Sequence, residues 1–336
     1  MNEIRWLNEL TRDDLPVAGG KGANLGELVR AGFPVPDGFV VTTAGYDRMT
    51  AELADAVCAA YRRLGDGAVA VRSSATAEDL AEASFAGQQD TYLNVNGEHD
   101  LLRAIEDCWA SLWTDRAVRY RAEHGVSDDG LALAVVVQRL VPAEAAGVMF
   151  TANPANGRTE ETVITAAWGL GEAVVSGLVD TDTITVDTTT KRIIGNQVAD
   201  KVLRIDPQED RSGSRTFTRS TTQAERHAAV LSDAEALRLA ELGSAIERHF
   251  GKPQDIEWVR AGGEFSIVQA RPITALPPRT GPIPQDWPMP ARGLYFRASI
   301  TEQLPDPLTP LFADLMASAV PAGLDRMMDE LMGATG

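Results

Sequence analysis

Cysteine, positive charge and long apolar runs are all scarce in this 336-residue chain. The two cysteines, Cys58 and Cys108, form no CxxC pair, so the sequence indicates neither a disulfide framework nor a thiolate metal site. The formal charge of −17 argues against a general nucleic-acid or membrane-surface binder, since either would need a basic face. The apolar run LALAVVVQRLV is too short to span a bilayer, and the polar start MNEIRWLNEL does not resemble a signal peptide. We therefore expect a cytoplasmic protein.

Length and composition are those of a globular enzyme with two or three domains. After Thr274 the proline-rich stretch LPPRTGPIPQDWPMPARG has little periodicity, so we expect an extended linker over residues 276–293. Residues 294–336 are too few to form their own core, and we expect them to begin a further, incomplete unit.

A glycine-rich turn near the N-terminus is the first candidate binding element. Gly19, Gly20 and Gly22 surround Lys21 and precede the helical pattern ANLGELVRA. Glycines permit close backbone approach, and a helix N-terminus with a lysine favours an anion. An ordinary loop with an exposed lysine explains this pattern equally well.

The stretch AVRSSATAEDLAEASFAGQQDTYLNV, residues 70–95, is the second candidate. A short strand delivers Arg72 into a loop of small and hydroxyl residues, which is typical of an anion site because the guanidinium binds phosphate oxygens in pairs. Gly87 and Thr91 would cover the phosphates from a turn downstream. Alternatively, Arg72 pairs with a nearby carboxylate such as Glu78 or Asp79.

The third candidate is a predicted hairpin in GKPQDIEWVRAGGEFSIVQARPIT. Phe265, Ile267, Gln269 and Arg271 are expected to share one face of its second strand. Glu257 lies opposite Gln269 only if the turn has an odd length or the hairpin contains a bulge, and we predict one of these. Glu257 and Gln269 would then supply oxygen ligands for Mg²⁺ on a triphosphate. The alternative is a solvated hairpin face with a Glu–Arg ion pair.

Gln138 and the histidines complete the candidate residues. Gln138 ends the apolar strand AVVVQ and could bind the edge of an adenine, although it could equally satisfy a local turn. The four histidines, His99, His124, His227 and His249, lie in charged, helical or loop contexts, and we expect each to be solvated.

The three motifs together resemble the ATP-binding domain of the pyruvate phosphate dikinase and phosphoenolpyruvate synthase family, in particular its rifampin phosphotransferase branch. The resemblance covers residues 19–274, and YFRASITEQLPDPLTPLFADLM resembles the start of the following domain in that branch. It implies an α+β ATP-grasp fold in which two lobes sandwich the nucleotide. On this basis the N-terminal lobes occupy residues 1–185 and the C-terminal lobe residues 186–275.

Carried over residue by residue, the resemblance implies a set of ATP contacts. These are Lys21, Arg72, Gly87, Thr91, Gln138, Glu257, Gln269 and Arg271. Lys21, Arg72 and Arg271 would neutralise the phosphates as the catalytic cations, while Glu257 and Gln269 would hold Mg²⁺.

The implied reaction cleaves ATP to AMP and phosphate and passes the β-phosphoryl group through a histidine on a swivelling domain. The final acceptor would be a small molecule, such as a rifamycin hydroxyl or pyruvate. No segment resembling that histidine domain is present, so we expect it to act in cis or in trans from outside this sequence. The stretch between Tyr46 and Val69 is also shorter than the family leads us to expect. A stand-alone ATP-grasp ligase that forms ADP and a non-catalytic nucleotide-binding protein remain alternatives.

Overall fold

A computed structural model of the chain describes residues 3–76, 91–115, 117–119, 131–208 and 216–277. Antiparallel strands dominate the described part and form two large sheets and one two-stranded ribbon. Helices pack against both large sheets. The α+β class predicted from the sequence is therefore confirmed.

The first sheet has the strand order β1–β2–β5–β3–β4. Its strands are β1 (Ile4–Trp6), β2 (Gly38–Val41), β3 (Val69–Ala75), β4 (Thr91–Val95) and β5 (Leu133–Arg139). Helix α1 (Leu15–Arg30) packs against one face, and helices α2 (Ala51–Leu64) and α3 (Glu98–Ser111) pack against the other. Along β5, Val135 and Val137 face α2 and α3 while Val136 faces α1. Because both faces are covered, β5 appears in the sequence as a continuous apolar run.

The second sheet has the strand order β13–β12–β6–β7–β8–β9. Its strands are β6 (Ala145–Phe150), β7 (Glu161–Trp168), β8 (Asp182–Asp187), β9 (Arg192–Gln197), β12 (Gln254–Ala261) and β13 (Glu264–Pro272). A long helix, here α6 (Asp233–Phe250), packs its apolar stripe on one face of this sheet. Ser232 caps the start of α6, and Gly251 ends the helix in a left-handed conformation.

Smaller elements complete the described part of the molecule. They are helix α4 (Glu172–Val175), the ribbon strands β10 (Leu203–Pro207) and β11 (Thr216–Ser220), helix α5 (Gln223–His227), and 3₁₀ turns at Leu7–Glu9, Arg12–Asp14 and Thr43–Gly45. Ile205 of the ribbon is buried with Leu170 and Ala173 beside α4. The ribbon and α4 therefore share a small apolar core next to the second sheet.

The two sheets follow one another along the chain and are joined by helix packing. Leu25 of α1 is buried in the core of the first sheet, whereas Leu28 is buried in the core of the second. The chain leaves the first sheet at Arg139 and enters the second at Ala145. The lobe boundary predicted at 185/186 falls inside β8, and the four strands from β6 to β9 pair in succession. The extents of the predicted lobes stay a prediction.

The chain divides into a unit of residues 1–281 and a unit of residues 282–336, and all described residues belong to the first. Most of the predicted linker and the whole predicted unit over 294–336 lie outside the described residues. Within the described ranges, no helix is both long and apolar enough to cross a bilayer.

Candidate nucleotide-binding site

A cavity of about 610 Å³ lies between the first and second sheets. The predicted binding residues that line it are Lys21, Arg72, Thr91, Gln138, Glu257, Gln269 and Arg271. They come from α1, β3, β4, β5, β12 and β13, so both sheets contribute. Gly87, the eighth predicted residue, lies outside the described residues. The structure thus brings together side chains that are spread over 251 positions of the sequence.

The glycine turn differs from the loop that the sequence predicts, because it lies within α1. Gly19 interrupts the helix with φ 66° and ψ 174°, a conformation that is essentially reserved for glycine. The Ser74 hydroxyl spans the interruption: it donates to Ala18 O at 2.8 Å and accepts from Gly22 N at 3.1 Å. A second helical segment therefore begins directly after Gly19. Lys21 lies in its first turn and donates to Ser73 O at 3.0 Å.

Arg72 reaches from the first sheet to the second. Its Nη1 donates to Val268 O at 2.7 Å, and its Nη2 donates to Glu257 Oε2 at 2.6 Å and Gln269 Oε1 at 2.9 Å. The residue is 7% exposed, and its Nε has no hydrogen-bond partner in the described part of the chain. The carboxylate partner is thus Glu257, 185 positions away, and Glu78 and Asp79 lie outside the described residues.

The hairpin contains the predicted bulge. Its turn has two residues, Gly262 and Gly263, and the register shifts next to Glu257 so that Glu257 pairs with Gln269 and Trp258 pairs with Ile267. Val268 is the extra residue. The sequence predicted that either an odd turn or a bulge would bring Glu257 opposite Gln269. The structure has the bulge.

The bulge also corrects the predicted face of β13. Phe265 and Ile267 are buried in the core beneath α6, whereas Gln269 and Arg271 line the cavity. Without the extra residue Val268, strict alternation would have carried Gln269 into the core after Ile267. The sequence expectation of one shared face was wrong because it did not count this residue.

Arg271 is held by a carboxylate that the sequence analysis missed. Its Nε and Nη2 lie 2.8 and 2.7 Å from Asp255 Oδ2. Burial raises the pKa of Asp255; Arg271 acts in the opposite direction, and Glu257 adds to the rise. Asp255 lies two residues before Glu257, so strand alternation places both carboxylates on one face. That alternation was the signal in the sequence.

An apolar wall closes the other side of the cavity. Leu93, Leu140, Val141, Leu170 and Val259 line it and belong to one cluster. Gln138 is 1% exposed, lines the cavity, and donates from Nε2 to Pro36 O at 3.2 Å. Gln138 thus satisfies a local carbonyl, as the alternative predicted, and also lines the cavity beside the apolar wall; its contact with an adenine stays a prediction.

Trp258 lies behind the site, on the face of β12 opposite to Glu257. It is fully buried in the core beneath α6 and packs edge-to-face on Phe265. Gly147 makes room for its ring, since a Cβ there would lie 2.7 Å from Trp258 and 1.8 Å from Thr165 O. Its Nε1 has no hydrogen-bond partner among the described residues.

Other polar residues at the cavity were also missed by the sequence analysis. Asn24, Glu172 and Ser176 line it. Asn24 follows Lys21 by three residues on α1, so helical spacing could have found it. By contrast, none of the histidines within the described ranges lines the cavity: His99, His227 and His249 lie beside Asp100, Asp200 and Glu27.

The donor set suits a magnesium-bound triphosphate. Glu257 and Gln269 offer hard oxygen atoms side by side, and the unpartnered Nε of the buried Arg72 is a donor that a phosphate oxygen could satisfy. Within the described ranges, no cluster of three or more His, Cys, Asp or Glu side chains could hold a metal ion. Two protein ligands suit Mg²⁺, which takes most of its coordination from water and phosphates.

Comparison with known proteins places the sequence in a defined group. The pattern of the family "Pyruvate phosphate dikinase, AMP/ATP-binding domain" matches residues 15–53 and 47–286. A probable phosphoenolpyruvate synthase of Methanothermobacter thermautotrophicus is 42% identical over 320 residues, which cover 81% of this chain and 46% of that protein. The rifampicin phosphotransferase of Bacillus subtilis is 39% identical over 351 residues, which cover 92% and 39%. The chain thus spans less than half the length of these curated relatives.

The family pattern matches the chain in two segments, and the chain aligns with gaps to the synthase relative. The two matched segments of the family pattern meet at residues 47–53, inside the region between Tyr46 and Val69. The alignment to the synthase runs over 320 positions although it uses only 81% of a 336-residue chain. That relative therefore carries residues that this chain lacks.

A solved structure gives a weaker likeness. D-alanine–D-alanine ligase from Bacillus anthracis is similar over 77% of this chain and 57% of its own, with 10% identity and a TM-score of 0.35. A TM-score of this size assigns no function.

Proposed function

Because the chain belongs to the family of pyruvate phosphate dikinase AMP/ATP-binding domains, we propose that its cavity is an ATP-grasp site for ATP with Mg²⁺ and that the chain is the ATP-binding part of a dikinase-type phosphotransferase. One observation carries the proposal. Seven residues predicted from three separate sequence motifs and one strand end line a single cavity.

The residues divide into three roles. Lys21, Arg72 and Arg271 bind and neutralise the phosphates, since each is a cation that lines the cavity. Glu257 and Gln269 hold Mg²⁺, which when bound spreads the phosphate charge during transfer. The apolar wall with Gln138 receives the adenine. Thr91, at the start of β4, covers the phosphates. The same role is proposed for Gly87, which lies outside the described residues.

The reaction we propose is cleavage of ATP to AMP and phosphate, with the β-phosphoryl group passing to a histidine on a separate swivelling domain. From that histidine the group would pass to a small-molecule acceptor, as in the relatives named for phosphoenolpyruvate synthesis and rifampicin phosphorylation. No described histidine lines the cavity, so the histidine domain is a partner of this site in cis or in trans.

Thermal unfolding with and without MgATP tests the site. At about a hundred times its dissociation constant, a ligand that binds only the folded state adds about 2.7 kcal/mol of stability. We expect the melting temperature of the wild type to rise with MgATP. The rise should be lost in Lys21→Met and Glu257→Gln, because each removes a charge that binds phosphate or metal.

Lys191→Met is the matched control, since Lys191 pairs with Glu241 at the surface and does not line the cavity. It should keep the full response to MgATP. The proposal is wrong if the wild type shows no response, or if Lys21→Met and Glu257→Gln respond as the control does.

The nucleotide product tests the reaction type. With the histidine domain of a curated relative supplied in trans, anion-exchange chromatography should detect AMP. Formation of ADP with a carboxylate substrate would instead identify a ligase, and nucleotide binding without turnover under both conditions would identify a non-catalytic protein.

A further inference from the structure

Arg72 occupies the position that the proposed function gives to a metal ion. Its Nη2 lies within hydrogen-bonding distance of both Glu257 Oε2 and Gln269 Oε1, the same side-chain pair assigned to Mg²⁺. A guanidinium cannot lose its charge at accessible pH. The side chains of Glu257 and Gln269, here called the metal-binding pair, are therefore already neutralised by a cation of the protein itself.

A divalent cation and this guanidinium exclude one another at the pair. Arg72 is 7% exposed, and its carboxylate partner is Glu257. A metal ion bound to Glu257 and Gln269 would face the guanidinium at short range, where two positive charges repel strongly because little water screens them. It would also take the counter-ion of a buried charge, which is costly. The metal can enter only if Arg72 turns away.

The cavity offers Arg72 a different partner when a polyanion is present. Lys21 donates to the carbonyl of Ser73, the residue next to Arg72, so two cations flank the same part of the cavity. Triphosphate oxygens there would accept from the guanidinium, including from its unpartnered Nε. The exchange replaces Glu257 and Gln269 by phosphate oxygens and leaves no charge unpaired.

We propose that Arg72 closes the metal-binding pair against divalent cations and that nucleotide phosphates open it, so that the metal binds with the nucleotide and not before it. This rests on the proposed function of Glu257 and Gln269, and it adds the order of binding. The same contacts join β3 of the first sheet to β12 and β13 of the second, so opening the pair also releases a link between the two sheets.

Binding of Mn²⁺ without nucleotide, followed by electron paramagnetic resonance of the free ion, tests the proposal. The wild type should take up no Mn²⁺ at a site that depends on Glu257, so it should match Glu257→Gln. Arg72→Gln should bind Mn²⁺ more tightly than the wild type by about tenfold or more, a coupling of the size common between linked sites. Arg271→Gln is the matched control, because it removes a guanidinium from the same cavity that pairs with Asp255. Its effect should be much smaller.

Two results would overturn the proposal. One is Mn²⁺ uptake by the nucleotide-free wild type that is lost in Glu257→Gln; the other is a folded Arg72→Gln that binds Mn²⁺ no better than the wild type. Circular dichroism checks folding, and if Arg72→Gln does not fold, the comparison of the wild type with Glu257→Gln still decides. Stabilisation of the wild type by MgATP is measured in parallel. If MgATP does not stabilise the wild type, the proposed function itself is wrong. If MgATP stabilises it and either overturning result is found, only the proposed order of binding is wrong.

Discussion

At the scale of single residues, Gly19 sets the position of Lys21. Its left-handed conformation breaks α1 so that a helical turn starts within the cavity wall, and the Ser74 hydroxyl satisfies backbone groups on both sides of the break. The absence of a side chain is as important as the conformation. A Cβ at Gly19 would lie 2.2 Å from Ser74 O and 2.3 Å from its hydroxyl oxygen.

Gly19→Ala should therefore reduce the free energy of unfolding by about 3 kcal/mol or more, since backbone strain and a clash with main-chain atoms add together. Gly32→Ala is the control: Gly32 also has positive φ, but a Cβ there meets nothing within 4 Å. Its cost should be about 1 kcal/mol. Urea denaturation measures both, and equal costs would show that the contact with Ser74 is unimportant.

Single residues also show what the sequence can and cannot predict. Lys21, Arg72 and Glu257 were identifiable because each lies in a short motif whose glycines, small residues or strand alternation carry local information. The ion pair between Arg72 and Glu257 was not predictable. Its partners are 185 positions apart, and they meet only because β3 and β12 face one cavity.

At the scale of elements, α2 bridges the place where the family pattern is interrupted. The Thr50 hydroxyl caps the helix by accepting from Leu53 N, and Gly65 ends it in a left-handed conformation. Tyr61 is buried and its hydroxyl donates to Gly67 O and accepts from Gly97 N. The connection is thus a capped, packed helix that covers one face of the first sheet.

The connection between β6 and β7 is organised by one buried carboxylate. Glu161 is 5% exposed and accepts from the side chains of Asn153, Asn156 and Arg158. Burial alone would raise the pKa of Glu161, but the hydrogen bonds from Asn156, Asn153 and Arg158 outweigh burial and lower the pKa below its usual value. The ionised form therefore stabilises the folded state.

Glu161→Gln should lower the free energy of unfolding at pH 7 by about 1–3 kcal/mol, the usual cost of leaving buried hydrogen-bonding groups unsatisfied. Because the folded-state pKa is lowered, the contribution of the carboxylate is complete above the ordinary glutamate pKa of about 4.3 and is lost as the pH falls through the lower folded value. The difference between variant and wild type in urea denaturation should therefore shrink in acid. A difference that is independent of pH would contradict this origin.

The sequence predicted the bulge in the β12–β13 hairpin only as one of two possibilities, the other being a turn of odd length. The chemistry of a site required Glu257 opposite Gln269, but the two-residue turn at Gly262 and Gly263 gives the wrong register by itself. Turn residues are a local signal, whereas the position of the extra residue depends on packing against α6. The faces of Phe265 and Ile267 were mispredicted for the same reason.

At the scale of the whole molecule, a buried ion pair joins segments that are distant in the chain. Lys201 and Asp182 have side chains that are each 1% exposed, and Lys201 Nζ donates to Asp182. Asp182 also accepts from Ala199 N and Val230 N. The pair therefore fixes β8 to the start of the ribbon and to the segment that precedes α6.

Lys201→Met should cost about 3–5 kcal/mol in the free energy of unfolding, because it leaves a buried carboxylate without its counter-charge. Lys191→Met makes the same substitution at a pair with Glu241 in which both side chains are mostly exposed. It should cost less than about 1 kcal/mol. Guanidinium chloride unfolding compares the two, and similar costs would contradict the importance of burial.

The whole-molecule arrangement was predictable in class but not in detail. Apolar strands, capped helices and the turn signals indicated an α+β protein, since these depend on neighbouring residues. The point where the chain passes from the first sheet to the second was not predictable. An alternating pattern such as that of β7 and β8 could belong to a strand of either sheet. Pairing partners decide membership of a sheet, and they are distant in the sequence.

Trp258 has a consequence for how the site can be observed. Its indole lies in the apolar core beneath α6, on the face of β12 opposite to Glu257, and it is fully buried. Tryptophan emission shifts with the surroundings of the ring, and a rearrangement of β12 at Glu257 would reach the indole through the strand that carries both residues. The protein therefore carries its own fluorophore on the reverse face of the proposed site, and the emission of Trp258 would report the proposed exchange at Arg72 without any added label.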